Sequence, residues 1–87
     1  MDKPYKELQI TKTLFLRTFS SEECDEFVWH RDVEDRYIIP FGTTDWLFQM
    51  DNELPKTIKD MFIPKETYHR IIKGNGDLTI LVYKILF

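Results

Sequence analysis

The sequence predicts an all-β domain, a small barrel or two-sheet sandwich, and three observations predict it. The 87 residues include no alanine, yet they contain nine isoleucines, eight threonines, three valines and thirteen aromatic residues, the side chains that suit pleated strands better than helices. Apolar and polar residues alternate with a period of two over most of the chain, in runs spaced about ten residues apart. No segment keeps a helical period long enough to make a convincing helix. A chain this short hides only about 60–65% of its unfolded surface, so it makes one core and one domain, residues 1–87.

In chain order, residues 1–9 read as a polar N-terminal extension in which Pro4 discourages regular structure. Ile10 to Phe19 alternates as a first strand, and Ser20 to Glu26 follows as a helical turn or acidic loop, with Ser20 and Glu23 at capping-box spacing. Phe27 to Val33 alternates again, with Phe27, Trp29, Arg31 and Val33 on one face and Val28, His30 and Asp32 on the other. Arg36–Phe41 and Trp46–Met50 read as a hairpin closed by Pro40-Phe41-Gly42-Thr43-Thr44. After Asp51-Asn52 and the connection Glu53–Thr57 come strands at Ile58–Ile63 and Thr67–Lys73, parted by Pro64-Lys65-Glu66. Gly74-Asn75-Gly76-Asp77 suits a second hairpin leading into Leu78–Phe87, the most apolar strand and the one with two apolar sides. The expected core is Phe27, Trp29, Phe41, Trp46, Phe48, Ile63, Ile71, Ile80 and Val82.

Charge and composition exclude several classes of function. Twelve Lys and Arg against fifteen Asp and Glu leave a net charge of −3 with both signs interspersed, which argues against nucleic acid and anionic membranes as partners. The apolar runs fall far short of the ~20 residues of a membrane span, and no signal-peptide pattern opens the chain, so a cytoplasmic protein is expected. Cys24 is the single cysteine, with no Cys or His at metal-ligand spacing, which makes it an apolar filler in a reducing compartment. No phosphate-cradling glycine loop or nucleophile motif is present.

Two runs carry a resemblance. In Ile63-Pro64-Lys65-Glu66-Thr67-Tyr68-His69 the proline stands five residues before a histidine, and upstream His30, Asp35 and Gly42 are spaced by five and seven. This resembles the two sequence motifs of the cupin superfamily over about residues 27 to 86, with Pro64 and His69 in the second motif and His30, Asp35 and Gly42 in the first. Trp29-His30-Arg31-Asp32 and Tyr68-His69-Arg70 are also similar to very short stand-alone cupin-like proteins of bacteria and their tailed phages, which would place a phage-encoded chain in the host cytoplasm. The pattern departs at Val28, where the family has a first histidine, at Glu22 and Glu66, where it has glycines, and at Lys73, where it has asparagine. Near Lys59-Asp60 only the aspartate of a glycine-aspartate pair remains.

The resemblance implies a jelly-roll barrel with a metal site inside it. His30, His69 and a carboxylate from Asp32 or Asp35 can supply a two-histidine, one-carboxylate triad for Fe, Mn, Ni or Zn. Strand parity favours Asp32, two residues from His30, whereas motif spacing favours Asp35. Gln49 can add an amide ligand or position a substrate, and Arg36 flanks the site. A metal-free alternative pairs His30 and Asp32 as a general base with Tyr37 or Tyr68 as acid. The expected function is a divalent-metal-dependent oxygenase or isomerase acting on a small molecule. The alternative is a non-catalytic ligand-binding or regulatory module whose site has decayed. A homodimer is expected, because the last strand is apolar on both sides.

Overall fold

The structure is a computed structural model that describes residues 5–22 and 29–86. Eight strands form two sheets, and the described residues include no helix, so nothing here is long and apolar enough to cross a membrane as a helix. The strands are β1 (Tyr5–Gln9), β2 (Leu14–Phe19), β3 (Asp35–Pro40), β4 (Leu47–Met50), β5 (Lys56–Thr57), β6 (Met61–Ile63), β7 (His69–Ile72) and β8 (Leu78–Ile85). One sheet has the order β1-β2-β8-β3-β6, the other β5-β4-β7, and every pairing is antiparallel.

Strand parity sorts the residues of β8, the central strand of the larger sheet. Leu78, Ile80 and Val82 point inward and are buried, while Thr79, Leu81, Tyr83 and Ile85 take the outer face. The inner face continues through Phe15 and Phe19 on β2, Ile38 on β3 and Ile63 on β6. The smaller sheet meets it with Phe48, and Trp46 and Ile58 close one end of the core. Trp46 is fully buried, and burial of so large a side chain contributes about 2–3 kcal/mol. Its indole N–H donates to the Gly76 carbonyl at 3.1 Å, and its ring lies 6.1 Å from that of Phe19. One residue thereby joins the layers and leaves no polar atom stranded.

Several expectations are corrected. The N-terminal extension contains a strand: β1 pairs with β2 along its whole length, and the turn is at Ile10–Leu14, where Thr11 Oγ1 accepts the Leu14 N–H. Its alternation of Tyr5, Glu7 and Gln9 with Lys6 and Leu8 is too polar to stand out, because an edge strand buries only part of one face. Neither expected hairpin forms. β3 and β4 lie in different sheets, as do β7 and β8, so residues 41–46 and 73–77 cross between layers. Turn residues mark where the chain bends but not which sheet receives it, and sheets about 10 Å apart need only a short crossing. Of residues 27–33, Phe27 and Val28 lie outside the described residues, and the rest form a single bridge, His30 to His69, not a strand.

Among the expected core residues Trp46, Phe48, Ile63, Ile80 and Val82 are buried, and Ile71 packs partly buried against them. Phe41 is exposed because it falls in the crossing loop beyond β3, and Trp29 is exposed on the outer side of the bridge. The crossing before β8 is tightly built. Asp45 accepts the Asn75 backbone N–H and side-chain N–H, each at 2.9 Å, and Gly74 sits against it. A Cβ on Gly74 would lie 2.9 Å from the Asp45 backbone carbon and closer still to its carboxylate. Gly74→Ala therefore displaces Asp45 and lowers stability by about 1–3 kcal/mol, to be read from the urea midpoint at unchanged m-value.

Candidate metal centre

At one end of the core the sheets diverge around a cavity of about 350 Å³. Its walls are apolar along Phe19, Phe48, Ile38, Ile63, Ile71, Ile80 and Val82, and its polar groups are His30, Asp32, Arg36 and His69, with Tyr5 and Arg17 also lining it. Two backbone hydrogen bonds assemble the polar group. The His30 N–H donates to the His69 carbonyl at 3.0 Å and the His69 N–H to the His30 carbonyl at 2.9 Å, which places both imidazoles on one side of the bridge. The rings stand 4.4 Å apart, edge to face. His69 is buried and stacked on Phe48 at 5.5 Å, whereas His30 lies at the exposed mouth.

His30, Asp32 and His69 offer three ligand atoms within 4.8 Å of one another. The His69 Nδ1 lies 2.8 Å from the Thr67 carbonyl, which can only accept, so Nδ1 carries a proton and neutral His69 presents the Nε2 lone pair to the cavity. Asp32 Oδ2 is 3.3 Å from that Nε2, buried, and without a hydrogen bond. A carboxylate oxygen and an imidazole lone pair at this distance repel one another unless a proton or a metal cation stands between them. The stranded oxygen and the fixed tautomer fit a divalent ion. Metal–ligand bonds of about 2.1 Å place neighbouring ligand atoms about 3 Å apart, so a modest inward turn of His30 completes the group. Asp32 is prepared for that role. In the metal-free protein burial works to raise its pKa, but a hydrogen bond from His69 in its protonated form, with the charges of Arg36, His69 and His30, outweighs it and holds the carboxyl below its ordinary 3.8. Its other oxygen, Oδ1, pairs with Arg36 Nη2 at 3.3 Å.

Solved structures share this architecture. A cupin-2 domain protein of Shewanella frigidimarina superposes with a TM-score of 0.66 at 13% identity, over 93% of this chain and 79% of that one. A cupin domain of Bordetella pertussis superposes at 0.63 and 13% identity, over 100% and 99%. The fold is that of the cupins. A Ralstonia eutropha protein provisionally named a mannose-6-phosphate isomerase has a TM-score of 0.64 at 13% identity, over 92% of this chain and 81% of its own. No protein-family model matches the sequence, and no curated protein does.

The cupin arrangement gives the other sequence candidates their places. Asp35 does not enter the group: it sits on the outer side of β3, accepts the Lys65 N–H at 2.7 Å, and lines a separate hollow with Val33 and Ile85. Gln49 also faces away from the cavity, since β4 turns Phe48 and Met50 inward, and its Oε1 accepts from Arg70 Nε at 2.9 Å. Tyr68 is exposed beneath Arg31, and Tyr37 is on the outer face of β3, so neither reaches the imidazoles. Arg36 lines the cavity and holds Asp32 and Glu34, each at 3.3 Å. The cavity tyrosine is Tyr5, whose ring lies 4.4 Å from the Arg17 guanidinium, with Arg17 also paired to Glu7. A weak polar alternation in residues 5–9 was the only signal for it.

Glu66 stands where the second cupin motif has glycine, and the backbone there is left-handed, with φ of 59°. Its N–H donates to the Asp32 carbonyl at 2.7 Å, so the turn after Pro64 orients the segment that carries the buried carboxylate. A non-glycine residue in this region costs about 1–2 kcal/mol, and the half-exposed pair of Glu66 with Arg31 at 4.0 Å offsets little of it. Glu66→Gly is expected to raise stability by roughly 0.5–1 kcal/mol in chemical denaturation while leaving the site intact.

Acid sensitivity tests the electrostatics. Because the pKa of Asp32 is lower in the folded state than in the unfolded, its stabilisation is present above the ordinary value and is lost as pH falls through the folded one. In metal-free protein, Asp32→Asn should therefore flatten the fall in melting temperature below about pH 4, relative to the unsubstituted chain.

Proposed function

We propose that this cupin-fold chain is a divalent-metal-dependent enzyme of isomerase or oxygenase type, acting on a small molecule in the cavity between the sheets. The observation that carries the reading is the convergence of His30, Asp32 and His69 on one end of a 350 Å³ cavity, with Asp32 Oδ2 buried 3.3 Å from His69 Nε2. These three side chains would hold the metal and leave coordination positions open toward the cavity. A bound divalent ion supplies Lewis acidity to an oxygen or hydroxyl of the ligand.

The chain's own groups do the rest. The Thr67 carbonyl holds the His69 tautomer, Arg36 keeps Asp32 ionised and fixed, and the apolar walls from Phe48 to Val82 exclude water and receive the ligand's carbon skeleton. A cavity of about 350 Å³ is of the size that takes a small organic ligand. The kinship of fold with the provisionally named isomerase of Ralstonia eutropha supports small-molecule chemistry of this kind. Val28 in the place of the family's first histidine favours the second reading, a metal-binding ligand module without turnover.

Metal content decides. Protein purified without a histidine tag or chelator is expected to carry up to one Fe, Mn, Ni or Zn per chain by elemental analysis. His30→Ala, His69→Ala and Asp32→Ala should each abolish it, and Asp35→Ala should not. A hundredfold excess of ion over its dissociation constant stabilises the fold by about 2.7 kcal/mol, and the effect fades in acid, because a protonated imidazole has no lone pair to give. Absence of metal, together with no change in melting temperature on adding Fe(II), Mn, Ni or Zn, would overturn the proposal.

A further inference from the structure

We infer that the ligand of the cavity is a small hydroxy or oxo acid and that Arg17 binds its carboxylate, a conclusion that rests on the small-molecule function proposed for the same cavity. Arg17 occupies a core position. On the inward row of β2 it lies between Phe15 and Phe19, both buried, and its cross-strand neighbour on β8 is buried Ile80. Strand parity puts an apolar side chain at such a place, because a guanidinium withdrawn from water needs partners for its N–H groups. The Arg17 side chain is only 12% exposed. Glu7, opposite it on β1, takes the Nε–H, and the Tyr5 ring lies 4.4 Å from the guanidinium carbon. Among the described residues nothing accepts a hydrogen bond from Nη1 or Nη2, and Arg17 lines the cavity.

The end of a guanidinium remote from Nε presents two parallel N–H groups, which match the two oxygens of a carboxylate in a bidentate pair. Phosphate fits less well. Glu7 offsets the charge of Arg17, and the other arginine of the cavity, Arg36, is engaged by Asp32 and Glu34 at 3.3 Å each, so apart from a metal ion no second cation remains to balance a dianion. The two arginines enter the cavity from separate stretches of the larger sheet. Their register partners on β8, Ile80 and Lys84, are four residues apart, about 13 Å along a strand at about 3.3 Å per residue. Arg36 belongs to the Asp32 end, so Arg17 is a second polar group away from the imidazoles. Apart from these groups and Tyr5 the lining is apolar, Phe19, Ile71 and Ile80 included. A molecule that satisfies the whole cavity therefore has a carboxylate for Arg17, a short carbon skeleton for the apolar walls, and a hydroxyl or carbonyl oxygen for the metal group.

The test takes the full chain from zinc-supplemented culture, which keeps the site diamagnetic, with 4-hydroxybutyrate as probe and 4-hydroxybutyramide as its uncharged counterpart. In nitrogen–proton correlation spectra the acid should bind about tenfold more tightly than the amide. It should move the Arg17 Nε–H resonance and leave that of Arg70, which is held by Gln49 away from the cavity, in place. Arg17→Gln should weaken the acid by about tenfold and leave the amide unchanged. Should that variant fail to fold, the Arg17 resonance of the unsubstituted chain decides. Equal affinity for acid and amide, an unmoved Arg17 resonance, an acid affinity that Arg17→Gln leaves intact, or tighter binding of inorganic phosphate than of the acid would each overturn the inference. Elemental analysis of the same samples reads the metal centre separately. Acid binding through Arg17 without bound metal overturns the metal reading alone, and bound metal without acid binding through Arg17 overturns this inference alone.

Discussion

The carboxylate of Asp32 is the constraint around which the open end of this molecule is organised. A charge withdrawn from water is tolerated only with partners on its lone pairs, and Asp32 finds Arg36 for one oxygen while the other faces His69 without a hydrogen bond. Arg36 must then remain on the inner side of β3, which fixes strand parity and sends Tyr37 and Ile39 outward. On the other side of Asp32, its backbone carbonyl takes the N–H of Glu66, and the adjoining His30 is tied by two backbone bonds to His69. Local hydrogen bonding, sheet parity and site geometry thus depend on one side chain.

Burial explains the placement of that polar group. Neither sheet can cover its own inner face, so the apolar residues of β2, β3, β6 and β8 pack on Phe48, with Trp46 and Ile58 sealing one end. With 87 residues the layers cannot be filled throughout, and where they part the inner face becomes a cavity wall. The ionisable groups His30, Asp32, Arg36 and His69 gather there. β8 contributes one set of side chains to the core and the alternate set to the outer face of the larger sheet.

The turn between Pro64 and His69 shows how a motif position can be understood through its backbone. A left-handed residue is required to aim an N–H at the Asp32 carbonyl, and glycine meets that requirement without strain. Glu66 meets it at an energetic cost, so the departure from the cupin pattern at this residue changes the energy of the turn and not its path.

The sequence by itself determined the all-β class, the approximate positions of β2, β3, β4, β7 and β8, most of the smaller sheet's contribution to the core, and the cupin resemblance. Those features rest on period-two alternation, on turn residues and on short spacings, all of which are local. It also presented His30, His69 and two competing carboxylates as candidates. Tertiary structure alone decided which strands share a sheet, because a turn signal does not specify whether the chain doubles back or crosses a layer. It likewise decided that Tyr5 and not Tyr37 or Tyr68 lines the cavity, that Gln49 faces outward, and that Asp32 rather than Asp35 stands with the imidazoles. Residues 30, 32 and 69 are brought within reach by a bridge between distant segments, and convergence of that kind is a property of the assembled backbone, not of any stretch of sequence.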